Sequence, residues 1–91
     1  MASIPTEHRI FYVNARLFKQ TALLAGPFNS PEEAEIVEPI CKIWFEEDEP
    51  RAKVATFGLL AVKLVPGKFP GYGIYNERLK EQGVVIDETS H

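Results

Sequence analysis

One cysteine, Cys41, and two histidines, His8 and His91, are the whole supply of thiol and imidazole in 91 residues. A lone cysteine cannot close a disulfide within the chain or build a multi-cysteine metal centre. Both histidines lie near a terminus, where chains are usually least ordered. No Ser-His-Asp or Cys-His grouping can therefore be argued from spacing. These shortages predict a chain with no catalytic residue set, no metal and no cofactor. Long apolar runs are missing as well. The stretch Gly58–Val62 is far below the ~20 residues needed to cross a bilayer, so no membrane partner is expected. Residues Met1 to Glu7 show neither the basic start nor the apolar run of a secretion signal, which makes the cytoplasm the expected setting.

What is present is ordinary globular material: 45% apolar and 25% charged residues, well away from the disordered range. The length fits one domain over 1–91, with 1–8 and 87–91 expected to be flexible. A chain this short buries only about 60–65% of its unfolded surface, so a homodimer is within expectation. The net charge of −3 hides an uneven distribution. Residues 1–30 carry +2, residues 31–50 carry −7 and residues 51–91 carry +2. One acidic block between two mildly basic ones argues against whole-surface attraction to nucleic acid or anionic lipid.

Ile10 to Phe18 alternates as a half-buried strand does, with Phe11, Val13, Ala15 and Leu17 on one face. Thr21 to Gly26 reads as its hairpin partner. A turn at Lys19-Gln20 would set Leu17 against Ala22, Ala15 against Leu24 and Val13 against Gly26, although that dipeptide is a poor turn former. Gly26 and Pro27 are expected to stop the strand. Ser30 then caps a helix that has Pro31 at its first position, and Glu33 completes a capping box. Phe28 is expected to clamp back onto that helix. Val37, Ile40, Cys41 and Trp44 form its apolar stripe. Pro39 deletes one helical hydrogen bond and predicts a kink. The four acids Glu46, Glu47, Asp48 and Glu49 end the helix at the negative pole of its dipole and call for cations, Arg51 and Lys53 being nearest in sequence.

Arg51 to Val65 reads as a long strand that is apolar on both faces, hence central or covered by another chain, with Gly58 as a possible bulge. Its second face needs cover from the C-terminal segment or from an identical subunit. Residues 66–73 form a Pro/Gly loop, Asn76 is expected to cap a short helix that runs to Gln82 and is stopped by Gly83, and Val84 to Ile86 are read as a last strand. The expected fold is therefore α+β: an antiparallel sheet, made of a hairpin plus a long third strand and a possible short fourth, packed against one main helix.

Two surfaces hold the candidate interaction residues. The first is the acidic group Glu46, Glu47, Asp48 and Glu49. It is either a solvated helix end or a surface that binds a basic partner, or that imitates nucleic acid to occupy a nucleic-acid-binding protein. The second is Lys68, Phe69, Tyr72 and Tyr75. These residues either offer aromatic faces to single-stranded nucleic acid or seal the edge of the core; the acidic block favours the second reading. The loop resembles phosphate-binding loops only superficially, because it lacks their spacing and the Ser/Thr after Lys68. Cys41 falls on the apolar side of its helix and reads as a buried, inert thiol.

Ala25-Gly26-Pro27-Phe28, Ser30 and Glu32-Glu33-Ala34, then Glu49-Pro50-Arg51-Ala52, Phe57-Gly58, and Pro70-Gly71 with Asn76-Glu77-Arg78-Leu79, form a pattern that resembles small uncharacterised proteins of bacterial phages and integrated mobile elements. The resemblance spans about residues 11–79 and is built mostly from turn and cap residues. It implies no assigned activity, so no functional residue follows from it. The stretch from Gly26 to Ala34 is also similar to a peptidoglycan-binding repeat domain of bacterial division proteins, which places a further strand–helix unit ahead of this motif; here 25 residues precede Gly26. The function expected from all this is a non-catalytic protein-binding or regulatory module. Single-stranded nucleic-acid binding through the loop and an enzyme of unnamed reaction are the alternatives.

Overall fold

A computed structural model describes residues 8–65 and 67–83. Three antiparallel strands, β1 (His8–Leu17), β2 (Gln20–Phe28) and β3 (Thr56–Leu64), form a sheet in the order β2-β1-β3. An 18-residue helix, α1 (Pro31–Asp48), packs on one face. A 3-10 turn at Pro50–Val54 leads into β3, and a short helix, α2 (Asn76–Glu81), follows the Pro/Gly loop. The α+β architecture expected from the sequence is the one observed. The short fourth strand expected at 84–86 lies outside the described residues.

The alternation in β1 decides the layering. Phe11, Val13 and Ala15 join Ala22, Leu24, Phe57 and Leu59 in the core against Ala34, Val37 and Cys41 of α1. Each of the larger fully buried side chains here, such as Val13, Leu24, Val37 and Leu79, stabilises the sandwich by roughly 1.5–3 kcal/mol before chain entropy is charged against it. Phe28 lies in the same cluster as Ala34, so it meets the helix as its position before the cap predicts. The capping box is formed: the Glu33 amide donates to Ser30 Oγ at 3.4 Å, and the Ser30 amide donates to Glu33 Oε2 at 3.0 Å. Helix α1 runs unbroken through Pro39, neither split nor ended by it.

Four expectations are corrected. First, the hairpin loop is Phe18-Lys19 rather than Lys19-Gln20, so Leu17 faces Gln20 and Ala15 faces Ala22. The slip is two residues next to the turn, which keeps Leu17, Ala15 and Ala22 on their expected faces, but the ladder shifts twice further on, so Val13 faces Ala25 rather than Gly26. Second, β2 does not stop at Gly26-Pro27 but continues to Phe28, which pairs with Phe11. Proline is tolerated because β2 is not the central strand and its ladder is irregular there; the Gly26–Pro27 peptide is cis. Third, β3 begins at Thr56, since Pro50 sets up a 3-10 turn in place of the first strand residues. β3 flanks β1, which is the central strand. Fourth, Gly58 marks no bulge: the β1–β3 ladder is regular from His8↔Leu64 to Arg16↔Thr56.

On the sheet face away from α1, Ile10 and Tyr12 are fully buried. Part of the cover comes from the Pro/Gly loop, whose Gly71 carbonyl accepts a 2.8 Å hydrogen bond from the Tyr12 hydroxyl.

Candidate functional site

The segment after β3 is fastened at three points, and the fastenings decide which side chains stand clear. The Lys68 amide donates to the Val65 carbonyl at 2.9 Å, closing a tight turn. Gly71 is held by Tyr12. The amides of Gly73, Ile74 and Tyr75 then donate to the carbonyls of Gly26, Leu23 and Leu24 at 3.0, 3.0 and 2.8 Å. Glycine is required at 73, because a Cβ there would collide with the backbone of Ala25. Asn76, 2% exposed, completes the seam. Its Oδ1 accepts from the Gly26 amide at 3.0 Å and its Nδ2 donates to the Gly26 carbonyl. A polar side chain this deeply buried is tolerable only because both ends of its amide are matched.

Between these anchors Phe69 and Tyr72 project outward. Their rings meet edge to face, with centroids 5.0 Å apart and planes at 63°. Tyr72 is 53% exposed and Phe69 42%. Val65 and Ile74 at either side are also exposed, as is Lys68.

Tyr75 is different. It is buried and belongs to the core cluster, and its hydroxyl donates to Asp48 Oδ2 at 2.8 Å. Burial first, and then the Asp48 carboxylate, raise the phenol above its ordinary range. Trp44 meets the Tyr75 ring edge to face at 5.5 Å. The Arg78 guanidinium lies 4.3 Å from the Trp44 ring centroid and 3.6 Å from Asp48. This group joins the C-terminal end of α1 to α2.

The acidic end of α1 is thus partly answered from within the molecule. Asp48 has Tyr75 and Arg78, and Glu49 has Arg51 at 2.8 Å. The Arg51 hydrogen bond holds the Glu49 carboxyl below its usual range. Glu46 and Glu47 are exposed. Of the candidate interaction residues, then, the structure brings together Phe69 with Tyr72 and Asp48 with Tyr75, and it removes Tyr75 from the surface. Trp44 was read only as part of the helix stripe and Asn76 only as a helix cap, whereas α2 has no side-chain cap and the Asn76 amide is spent on Gly26; Val65 and Ile74 had no reading as site residues. Only Arg78 had a readable signal, its spacing of three from Tyr75 at a helix start.

For chemistry the supply is thin. Cys41 is fully buried and its thiol is pushed up to about 12, by burial first and then by Glu38; at neutral pH it holds its proton and is a poor nucleophile. Among the described residues no group of three metal-ligating side chains converges, and no helix is long and apolar enough to cross a membrane. A shallow cleft of about 200 Å³ lies at the hairpin end, between Leu17, Ala22, Phe45 and the Glu49–Arg51 pair. No protein-family model, curated protein or solved structure matches this chain.

Proposed function

We propose that this chain is a non-catalytic protein-binding or regulatory module that presents the segment 65–74 to a protein partner. One observation carries the reading. Of the eight large apolar side chains exposed among the described residues, four (Val65, Phe69, Tyr72 and Ile74) fall within this one segment. Solvent-facing aromatics cost solubility when unpartnered and are enriched at the centre of protein interfaces. The anchors at Gly71, Gly73 and Tyr75 hold the loop in place beforehand, which lowers the ordering cost of binding.

A protein partner is favoured over single-stranded nucleic acid by two features. The Phe69 and Tyr72 rings are steeply inclined to one another, whereas successive stacked bases want parallel faces. The chain also carries net charge −3, which opposes a polyanion. The acidic end of α1 is a weaker candidate, since Asp48 and Glu49 are already paired. A cytoplasmic protein of a phage or integrated mobile element, as the sequence pattern suggests, would use such a module on a host or element protein.

The test is affinity capture from lysate of the cells that encode the protein, comparing wild type with Phe69→Ser/Tyr72→Ser and with Glu46→Gln/Glu47→Gln. The aromatic variant is expected to lose a specific partner by tenfold or more with its circular dichroism unchanged. Retention of the same proteins by that variant would overturn the reading, and selective loss in the glutamine variant would move the surface to α1.

A further inference from the structure

Helix α1 carries apolar residues on two sides. The stripe of Ala34, Val37 and Cys41 enters the core. On the side opposite Ala34 and Cys41, at about 3.6 residues per turn, Ile36 is 71% and Ile43 57% exposed. Pro39 is exposed between them and Ile40 is half-buried. Steps of three and four residues join Ile36 to Pro39 and Ile40, and those two to Ile43, so the four side chains are neighbours over two turns of the outer surface. Single exposed isoleucines are ordinary, but a contiguous set on one helix face is the pattern of a docking surface. Nor does the helix itself ask for them: isoleucine is a poorer helix former than leucine, lysine or glutamate, and so exposed a side chain buries little.

Charge frames this face. Glu32 stands one turn before Ile36 and Glu47 one turn after Ile43, on the same row, with Glu35 and Glu46 to one side. All four glutamates are exposed. The helix as a whole carries seven acids against one base, Lys42.

We infer that the outer face of α1 docks a basic amphipathic helix of another protein, with apolar side chains at i, i+3 or i+4, and i+7 flanked by lysine or arginine. The apolar stripe supplies the contact, as in other helix-on-helix recognition, and charge chooses the occupant. A second copy of this chain is disfavoured in both orientations. Antiparallel pairing centred on the stripe sets Glu32 against Glu47, and parallel pairing sets each glutamate beside its own copy. Flanking charges of this kind select partners for paired helices, and like charges reject them. Cations on the partner turn the same four glutamates into attraction and a faster encounter. Two turns of stripe make a short contact, so a dissociation constant of about 10–100 μM is expected rather than a permanent assembly. This face is separate from segment 65–74 and does not depend on it.

The probe is a synthetic peptide of about 20 residues, long enough to form a helix, with leucine along one face and lysine and arginine beside it. It is titrated into the isotope-labelled full chain and followed by amide shifts. The control peptide has the same composition, scrambled so that no apolar face forms. The amphipathic peptide is expected to bind at about 10–100 μM, with shifts centred on Ile36 to Ile43, and the scrambled one at least tenfold more weakly. Ile36→Ser/Ile43→Ser should weaken binding tenfold or more, and Glu32→Gln/Glu47→Gln should weaken it several-fold and remove part of its salt dependence. Phe69→Ser/Tyr72→Ser should bind the peptide as wild type does, which separates this face from the loop. If Ile36→Ser/Ile43→Ser fails to fold, the wild-type shifts and the scrambled control decide. Equal binding of the two peptides, shifts centred outside α1, or binding untouched by Ile36→Ser/Ile43→Ser overturns the inference. So does self-association in sedimentation that Ile36→Ser/Ile43→Ser abolishes, because a second copy would then be the occupant.

Discussion

Phe18 occupies a position its chemistry does not suit. It opens the hairpin loop at φ 57°, in the left-handed region that costs a non-glycine residue roughly 1–2 kcal/mol. Its ring, 71% exposed, recovers little of that by burial. Glycine adopts the conformation freely but loses about 0.5–1 kcal/mol of backbone entropy on folding. Phe18→Gly is therefore expected to stabilise the protein by a net ~0.5–1 kcal/mol, which for a chain of this size is a rise of a few degrees in Tm. Calorimetry would check it, and an unchanged or lower Tm would mean that the ring contributes more than its exposure implies. The same residue explains why the turn was misplaced by sequence: Lys19-Gln20 and Phe18-Lys19 are equally poor turn formers, so propensity could not choose between them.

At the scale of elements, the junction between β2 and the α2 segment is the least predictable part of the fold and the most tightly specified. The Gly-Pro step, read alone, ends a strand. In the structure it is an irregular step within the strand, and Asn76 satisfies the backbone of Gly26 on both its donor and acceptor sides. Asn76→Ala is expected to leave the buried Gly26 amide without its acceptor, while the Gly26 carbonyl keeps the Gly73 amide, and to cost ~1–3 kcal/mol in urea unfolding. A loss below about 1 kcal/mol would show that water replaces the amide. The same junction carries the presentation of Phe69 and Tyr72, so the variant should also weaken partner capture even where it remains folded.

For the whole molecule the clearest handle is alkaline pH. The Cys41 thiol is raised to about 12, and burial also raises the hydroxyls of Tyr12 and Tyr75. In the unfolded chain a thiol ionises near 8.5. Above that pH the unfolded state has shed a proton that the folded state still holds. Stability contributed by this group is therefore complete below about 8.5 and lost as pH climbs toward the folded value. Tm is expected to fall between about pH 8.5 and 11, and Cys41→Ala, although less stable at neutral pH, should show a shallower decline over the thiol's part of that range. A wild-type Tm that stays level through it would show that the thiol is not shielded.

Local chemistry was legible in the sequence because it depends on near neighbours. The Ser30–Glu33 box, the apolar stripe through Val37 and Cys41, the alternation of β1 and the stop at Gly83 each follow from residues within a few positions of one another. Those features were enough to determine an α+β layer with one helix on an antiparallel sheet. What the sequence left open depends on contacts between distant residues. Which strand is central, whether Gly26-Pro27 ends β2, and whether Tyr75 faces water or core are decided by contacts such as Phe11 with Phe28, Tyr75 with Asp48, Gly26 with Asn76 and Tyr12 with Gly71, 17 to 59 residues apart along the chain. The candidate surfaces belong to that second group. Phe69 and Tyr72 stand out because Tyr12, Gly73 and Asn76 hold the loop beneath them. Exposure is set by what the rest of the molecule covers, and only the tertiary structure contains that.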